Sequence, residues 1–198
     1  MKLVFATHNQ GKVKEMRAML ASLSIDVVSM DEAGVRGEAV ENGKTFEENA
    51  LKKARDVAKQ TGQWALGEDS GICIEALGCA PGIYSARWAG EGATDVQIVE
   101  HTLQQMKHVS REKRQAWFET ALALVAPDGR EWIFYGKVDG RVSVESRGTP
   151  RPKLAYDMIF IPDGYERTFA EMPDEEKNSL SHRGRAFTEF KKFIATLS

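Results

Sequence analysis

The chain has 198 residues, 42% of them hydrophobic and 28% charged, with a formal net charge of −2. That composition predicts a soluble globular protein with one substantial core. It supplies no basic field for a nucleic-acid polymer and no run near the roughly 20 apolar residues of a membrane span.

In chain order, Lys2 to Ala6 is a short apolar run and reads as a buried strand. From Gly11 to Leu23, apolar residues recur at helical spacing through Val13, Met16, Met19, Leu20 and Leu23. Ile25 to Val28 is a second strand. Thr45-Phe46-Glu47-Glu48 has the form of a capping box, and its helix is expected to reach Thr61 and stop at Gly62. Trp64 to Leu66 is a short strand leading into an acidic turn. Thr94 to Met106 is another capped helix. Ala116 to Val125 and Trp132 to Val138 are strands joined through the turn Pro127-Asp128-Gly129. Val142 to Val144 and Met158 to Ile161 are further strands, and a last helix runs from near Ser181 to Leu197. With no repeat or linker, the expectation is one α/β domain over residues 1–198: a mixed sheet flanked by helices, in two lobes around a cleft. Lys2 follows Met1 at once, so no signal peptide is expected. Cys73 and Cys79 lack metal-site and C-x-x-C spacing, so both are expected as buried thiols in a reducing cytoplasm.

Three segments carry groups suited to chemistry. Thr7-His8-Asn9-Gln10-Gly11-Lys12 lies between a strand and a helix, where exposed amides, the helix dipole and the Lys12 ammonium favour an anion. It is not a Walker A loop. Glu68-Asp69-Ser70-Gly71 places two carboxylates side by side, which suits Mg²⁺ and leaves one oxygen pair for a base. Glu41 is a remote third carboxylate. Asn49 and Lys53 share a helix face, so Lys53 has a route to phosphate if that face is functional. Ser181-His182-Arg183 opens the last helix with fixed donors, which match the 6-keto oxygen of hypoxanthine or xanthine and oppose the amino group of adenine. Each segment alone also reads as an ordinary cap, turn or solvated face. Together they point to an enzyme acting on nucleoside triphosphates.

The same segments resemble the inosine triphosphate pyrophosphatase family. The resemblance covers most of the chain: Thr7 to Lys12, Thr45-Phe46-Glu47-Glu48-Asn49-Ala50 with Lys53, Asp69-Ser70-Gly71, Ala80-Pro81-Gly82-Ile83-Tyr84-Ser85-Ala86-Arg87, Tyr156-Asp157, Glu176-Lys177 and Ser181-His182-Arg183-Gly184. It implies a homodimer that releases nucleoside monophosphate and pyrophosphate. By this likeness Thr7, His8, Asn9, Gln10, Gly11, Lys12, Lys53 and Lys177 hold the triphosphate. Asp69 binds Mg²⁺ and activates water, with Glu68 and Glu41 assisting. Ser70 touches substrate, His182 and Arg183 read the base, and Leu154, Ala155, Tyr156 and Asp157 line its pocket. The sequence departs from the family's Asp-Asp-Ser-Gly at Glu68. It departs again where a glycine-rich Gly-Phe-Gly segment is usual, since Leu154 takes the stacking position and Ala155 replaces a glycine. Weaker stacking on the base is expected there. The alternatives are a pyrophosphatase of altered base selectivity, pyrimidine included, and a nucleotide-binding module that does not hydrolyse.

Overall fold

The computed structural model describes residues 1–37 and 41–197. Among these, β1 (Lys2–Phe5), β2 (Asp26–Ser29), β3 (Trp64–Ile74), β4 (Gln115–Val125), β5 (Glu131–Val142) and β6 (Phe160–Pro162) hydrogen-bond in the order β2-β1-β3-β4-β5-β6. β1 is parallel to β2 and β3, whereas β5 and β6 are antiparallel, so the sheet is mixed. The α-helices are α1 (Gln10–Leu20), α2 (Phe46–Thr61), α3 (Asp95–Gln105), α4 (Asp174–Leu180) and α5 (His182–Ile194). The fold is α/β, as expected.

The chain divides into two compact units. Unit 1 holds residues 1–69, 120–136 and 185–198; unit 2 holds 70–119 and 137–184. In unit 1, strand alternation sorts side chains by size. Leu3, Phe5, Leu66, Leu122 and Leu124 form one face and pack with Val13, Met16 and Leu20 of α1 and with Phe187, Phe190 and Ile194 of α5. The other face is Val4, Ala65, Ala121 and Ala123, packed with Ala50, Ala54 and Val57 of α2. Small residues on both partners let α2 lie close to the strands. The closest approach is at Gly67, where a Cβ would stand 2.1 Å from the Ala50 carbonyl oxygen. This contact sets α2 against the acidic part of β3.

Unit 2 has its own core. Ile72 and Ile74, Ile98, Val99 and Met106, Phe118, Tyr156, Phe160 and Phe169 are its main members. Phe118 is its aromatic hub, within 6.4 Å of the rings of Tyr156, Phe160, Phe169 and His182. Arg114 is buried among them, donating to the carbonyls of Met106, Val109, Val142 and Ser143.

Several expectations are corrected. Glu68-Asp69-Ser70-Gly71 is not a turn, because β3 runs on to Ile74. β1 pairs with β3 from Trp64 to Leu66, β4 is its other neighbour, and lysines from α1 and α2 answer the carboxylates further along. The strand expected at 132–138 runs on to Val142, since Gly140, Arg141 and Val142 find partners in Pro162, Ile161 and Phe160, while Ser143 and Val144, expected in a strand of their own, lie outside it. The last helix is two helices. Ser181 has extended backbone (ψ 156°) and closes α4, while its Oγ accepts the Gly184 N–H at 3.1 Å at the start of α5. A Cβ on Gly184 would lie 1.7 Å from the Asn178 carbonyl oxygen, so only glycine lets α5 begin that close to α4. Cys73 and Cys79 form a disulfide rather than standing as separate thiols.

Candidate active site

Unit 1 gathers one group of functional side chains. Asn9 caps α1, with its Oδ1 accepting the N–H of Gly11 (2.9 Å) and of Lys12 (3.3 Å). The Asn9 N–H in turn donates to Thr7 Oγ1 at 3.1 Å. These side chains shape the turn, and the positive end of α1 lies beyond them. His8 pairs with Asp31 at 2.7 Å. Gln10 and Gly11 are exposed. A cavity of about 150 Å³ is lined by Thr7, His8, Lys12, Glu41, Lys53 and Glu68, together with Phe5, Ala6, Met30, Asp56 and Val57. Six residues expected from the sequence therefore share one pocket.

Helix α2 supplies the centre of this group. Thr45 caps it by accepting the Glu48 N–H, and Gly62 ends it in left-handed backbone (φ 64°). One turn apart on its buried side stand Asn49 and Lys53. Asn49 is 1% exposed; its Oδ1 accepts the Gly43 N–H at 2.8 Å and its Nδ2 donates to Asp69 Oδ2 at 3.0 Å. Because the oxygen is occupied by Gly43, the amide must present its NH₂ to the carboxylate. Lys53 Nζ lies 2.8 Å from Glu41 Oε1 and 3.2 Å from Asp69 Oδ1, and donates to the Glu68 carbonyl at 2.9 Å. Lys12 stands 3.2 Å from Oε2 of the buried Glu68.

The electrostatics suit a base held next to cations. Burial works against the Lys53 charge, but the Asp69 and Glu41 carboxylates outweigh it, and its pKa is raised. Burial raises the Asp69 pKa above the ordinary carboxylate value, against the opposing pull of Lys53 and Asn49. A carboxylate shifted in that direction is a stronger proton acceptor. Thr120 Oγ1 donates to the Asp69 carbonyl at 3.2 Å and fixes the strand at that residue.

The three carboxylates expected as one metal-ligand set do not form a cage. No group of three or more His, Cys, Asp or Glu placed to hold a metal occurs among the described residues. Glu68 faces Lys12, and Lys53 bridges Glu41 and Asp69. The donors nevertheless fit Mg²⁺, which takes one or two carboxylates and completes its shell with water and substrate phosphate.

Unit 2 gathers a second group. His182, 8% exposed, lies parallel to Phe118, with ring centroids 4.6 Å apart and planes 8° apart. It shares the first turn of α5 with the half-buried Arg183. Lys177 is buried, forms a short ion pair with Asp157 Oδ2, and lies 5.9 Å from the Phe169 ring. Burial lowers its pKa; Asp157 opposes that, while Arg183 and Arg151 add to it. The structure thus groups Lys177 with Asp157, and Lys12 with Lys53 in unit 1. Tyr156 is a core residue whose hydroxyl donates to the Ser85 carbonyl at 2.9 Å; burial pushes its pKa up. Ala155 is buried, Leu154 half-buried, and Ser70 half-buried on β3 directly after Asp69.

Sequence reasoning passed over three residues. Asn49 had a signal, four residues from Lys53 on one helix face. Phe118 and Arg151 had none, because the carbonyls and rings they meet lie far along the chain, at His182 for Phe118 and at Phe169 and Met172 for Arg151.

Comparison with known proteins shows the family. The Ham1 family profile matches residues 3–193. The dITP/XTP pyrophosphatase of Symbiobacterium thermophilum is 47% identical over 93% of this chain and 90% of that protein. The dITP/XTP pyrophosphatase of Bacillus subtilis is 41% identical over 96% of each. Among solved structures, a HAM1 protein from Coxiella burnetii superposes with a TM-score of 0.92 at 36% identity, covering 99% of both chains. The Staphylococcus aureus Ham1 protein gives 0.91 at 30% identity over the whole of both. With a profile spanning almost every residue and relatives matched from end to end, the chain belongs to the Ham1 family.

Proposed function

We propose that this protein hydrolyses deaminated purine nucleoside triphosphates (ITP, dITP and XTP) to the monophosphate and pyrophosphate, with Mg²⁺, as a cytoplasmic homodimer. The observation that carries the reading is the cluster in unit 1: Lys53 shared by Asp69 and Glu41, beside Lys12 and Glu68, in one pocket. Dense alternating charge of this kind suits a polyphosphate and its counter-ion. The relatives named dITP/XTP pyrophosphatase support the substrate class.

Thr7, His8, Asn9, Gln10, Gly11, Lys12 and Lys53 bind the phosphate chain. Lys12 and Lys53 offset charge that grows on the departing pyrophosphate. Asp69 takes a proton from water as the water oxygen bonds to the α-phosphorus and the α–β anhydride bond breaks. Asp69 and Glu68, with Glu41 nearby, would hold Mg²⁺, which would supply Lewis-acid polarisation of the phosphate. Ser70 contacts the substrate beside Asp69. In unit 2, His182 and Arg183 donate to the 6-keto oxygen, with Phe118 holding the His182 ring plane. Leu154, Ala155, Tyr156, Asp157 and Lys177 form the surroundings of the base. Adenine presents an amino group where these donors need an acceptor.

The test is inorganic product release from a panel of ITP, dITP, XTP, ATP, GTP, dTTP and UTP with Mg²⁺. Pyrophosphate released fastest from ITP, dITP and XTP is expected. Orthophosphate as the only inorganic product, or a preference for dTTP and UTP, would refute the reading. Tight binding without turnover would identify a binding module.

A further inference from the structure

The segment Pro150-Arg151-Pro152-Lys153-Leu154 is braced in an unusual way. The Leu154 N–H donates to the Arg151 carbonyl at 3.1 Å and closes a turn, with Pro152 second and Lys153 third, the latter at φ 62°. Proline second and a left-handed third residue are the pattern of a type II turn. The Lys153 N–H is anchored on Asp95 Oδ2 at 2.8 Å. Arg151 ties the other side: Nη1 donates to the Phe169 carbonyl at 2.8 Å and Nη2 to the Met172 carbonyl at 2.6 Å. Nη2 also pairs with Asp174 at 2.9 Å, and Nη1 stands 3.5 Å from Asp157 Oδ2.

That last oxygen is also the one Lys177 takes. Two cations therefore converge on Oδ2 of a carboxylate only 4% exposed. Neither of these contacts is made to Oδ1. Oδ1 is thus the oxygen left to Asp157 for a further hydrogen bond. A 6-keto purine carries a ring N–H beside its carbonyl, which needs an acceptor. Adenine carries a bare ring nitrogen there, which a carboxylate oxygen repels.

We propose that Arg151 is a positioning residue for base selection: with Lys177 it holds Asp157 Oδ2, leaving Oδ1 as a fixed acceptor for the ring N–H of a 6-keto purine. The assignment rests on the proposed function and adds to it the residue that sets one half of the base code. A planar fork suits the role, because Arg151 donates to two carbonyls and pairs with two carboxylates at once. A lysine reaches one or two of them.

The experiment compares Arg151→Met and Arg151→Lys with the unaltered protein, measuring kcat and KM for ITP and ATP and inhibition by pyrophosphate. Arg151→Met is expected to raise KM for ITP roughly tenfold, the scale of one misplaced hydrogen bond to a charged group, with kcat changed less than about twofold. The ITP-over-ATP ratio of kcat/KM should fall in step, and inhibition by pyrophosphate should not move. Arg151→Lys should fall between, and it carries the same test if Arg151→Met does not fold. A role in folding alone would lower the melting temperature and leave the base ratio intact, which overturns the assignment. An unchanged KM for ITP overturns it too. If the unaltered protein releases no pyrophosphate from ITP, the functional reading falls and Arg151 with it; if it does and the variants match it, only Arg151 falls.

Discussion

Replacing Gly67 by alanine tests how the helix α2 contact holds the catalytic group. The added Cβ would stand 2.1 Å from the Ala50 carbonyl oxygen and 2.9 Å from the Ala54 nitrogen, where ordinary contact begins at 3.4 Å. Both obstacles are helix backbone, so neither can rotate away. Helix α2 must therefore move off β3 by about 1.3 Å, from 2.1 to at least 3.4 Å. Asn49 and Lys53 ride on that helix, at 3.0 and 3.2 Å from the Asp69 carboxylate. A shift of that size takes both contacts past hydrogen-bonding range. Overpacking of this kind costs ~1–3 kcal/mol, and a misplacement of ~1 Å costs ~10²-fold in rate. At this chain length the melting temperature should drop by roughly 2–12 °C. The assay is a thermal melt alongside pyrophosphate release from ITP in Mg²⁺. A melting temperature within about 1 °C of the original would refute the close-packing argument. A clear loss of stability with unaltered kcat would refute the claim that the contacts from α2 to Asp69 serve catalysis.

Other perturbations follow from individual contacts. Asp69→Asn keeps the shape but removes the proton acceptor, and turnover should fall ~10²–10⁴-fold with little change in the melt; near-normal kcat would remove Asp69 from the chemistry. Lys153 holds left-handed backbone at φ 62° with an exposed side chain, so Lys153→Gly should stabilise by about 0.5–1 kcal/mol after the entropy of the unfolded chain is counted, read by urea denaturation. Glu32 accepts the Ser29 N–H and pairs with Arg17, and these hold its pKa down from 4.5 to about 2. A depressed folded-state pKa means stability that is present above 4.5 and lost as pH falls toward about 2. The destabilisation by Glu32→Gln should therefore be measurable at neutral pH and vanish across that window; a difference independent of pH would show that the ionised carboxylate is not its source.

Local pattern was legible where the cause is local. The Thr45 cap and the Gly62 stop bound α2, and the 3.6-residue stripe of α1 can be read from the chain itself. So can the residue types proposed for phosphate, metal and a keto oxygen, at Lys12, Lys53, Asp69, His182 and Arg183, because each of those ligands demands a particular donor or acceptor. Tertiary structure decided the rest. Glu68 to Gly71 read as a turn because two carboxylates and a glycine disfavour a strand in isolation; continuation of a strand already paired at Trp64 to Leu66, with lysines from α1 and α2 opposite the carboxylates, makes it one. The alanine face of unit 1 looks unremarkable in sequence, yet it lets α2 come near enough for Asn49 and Lys53 to grip Asp69. Gly184 looks like an ordinary glycine until Asn178 is found 1.7 Å from where its Cβ would be. Arg151 is one charge among 27 Lys and Arg residues until four partners from 6 to 23 positions away converge on its fork. Spacing along a chain reports only neighbours within a few residues; contacts made by folding are set by packing and by the need to pair every buried charge, and no short pattern records them.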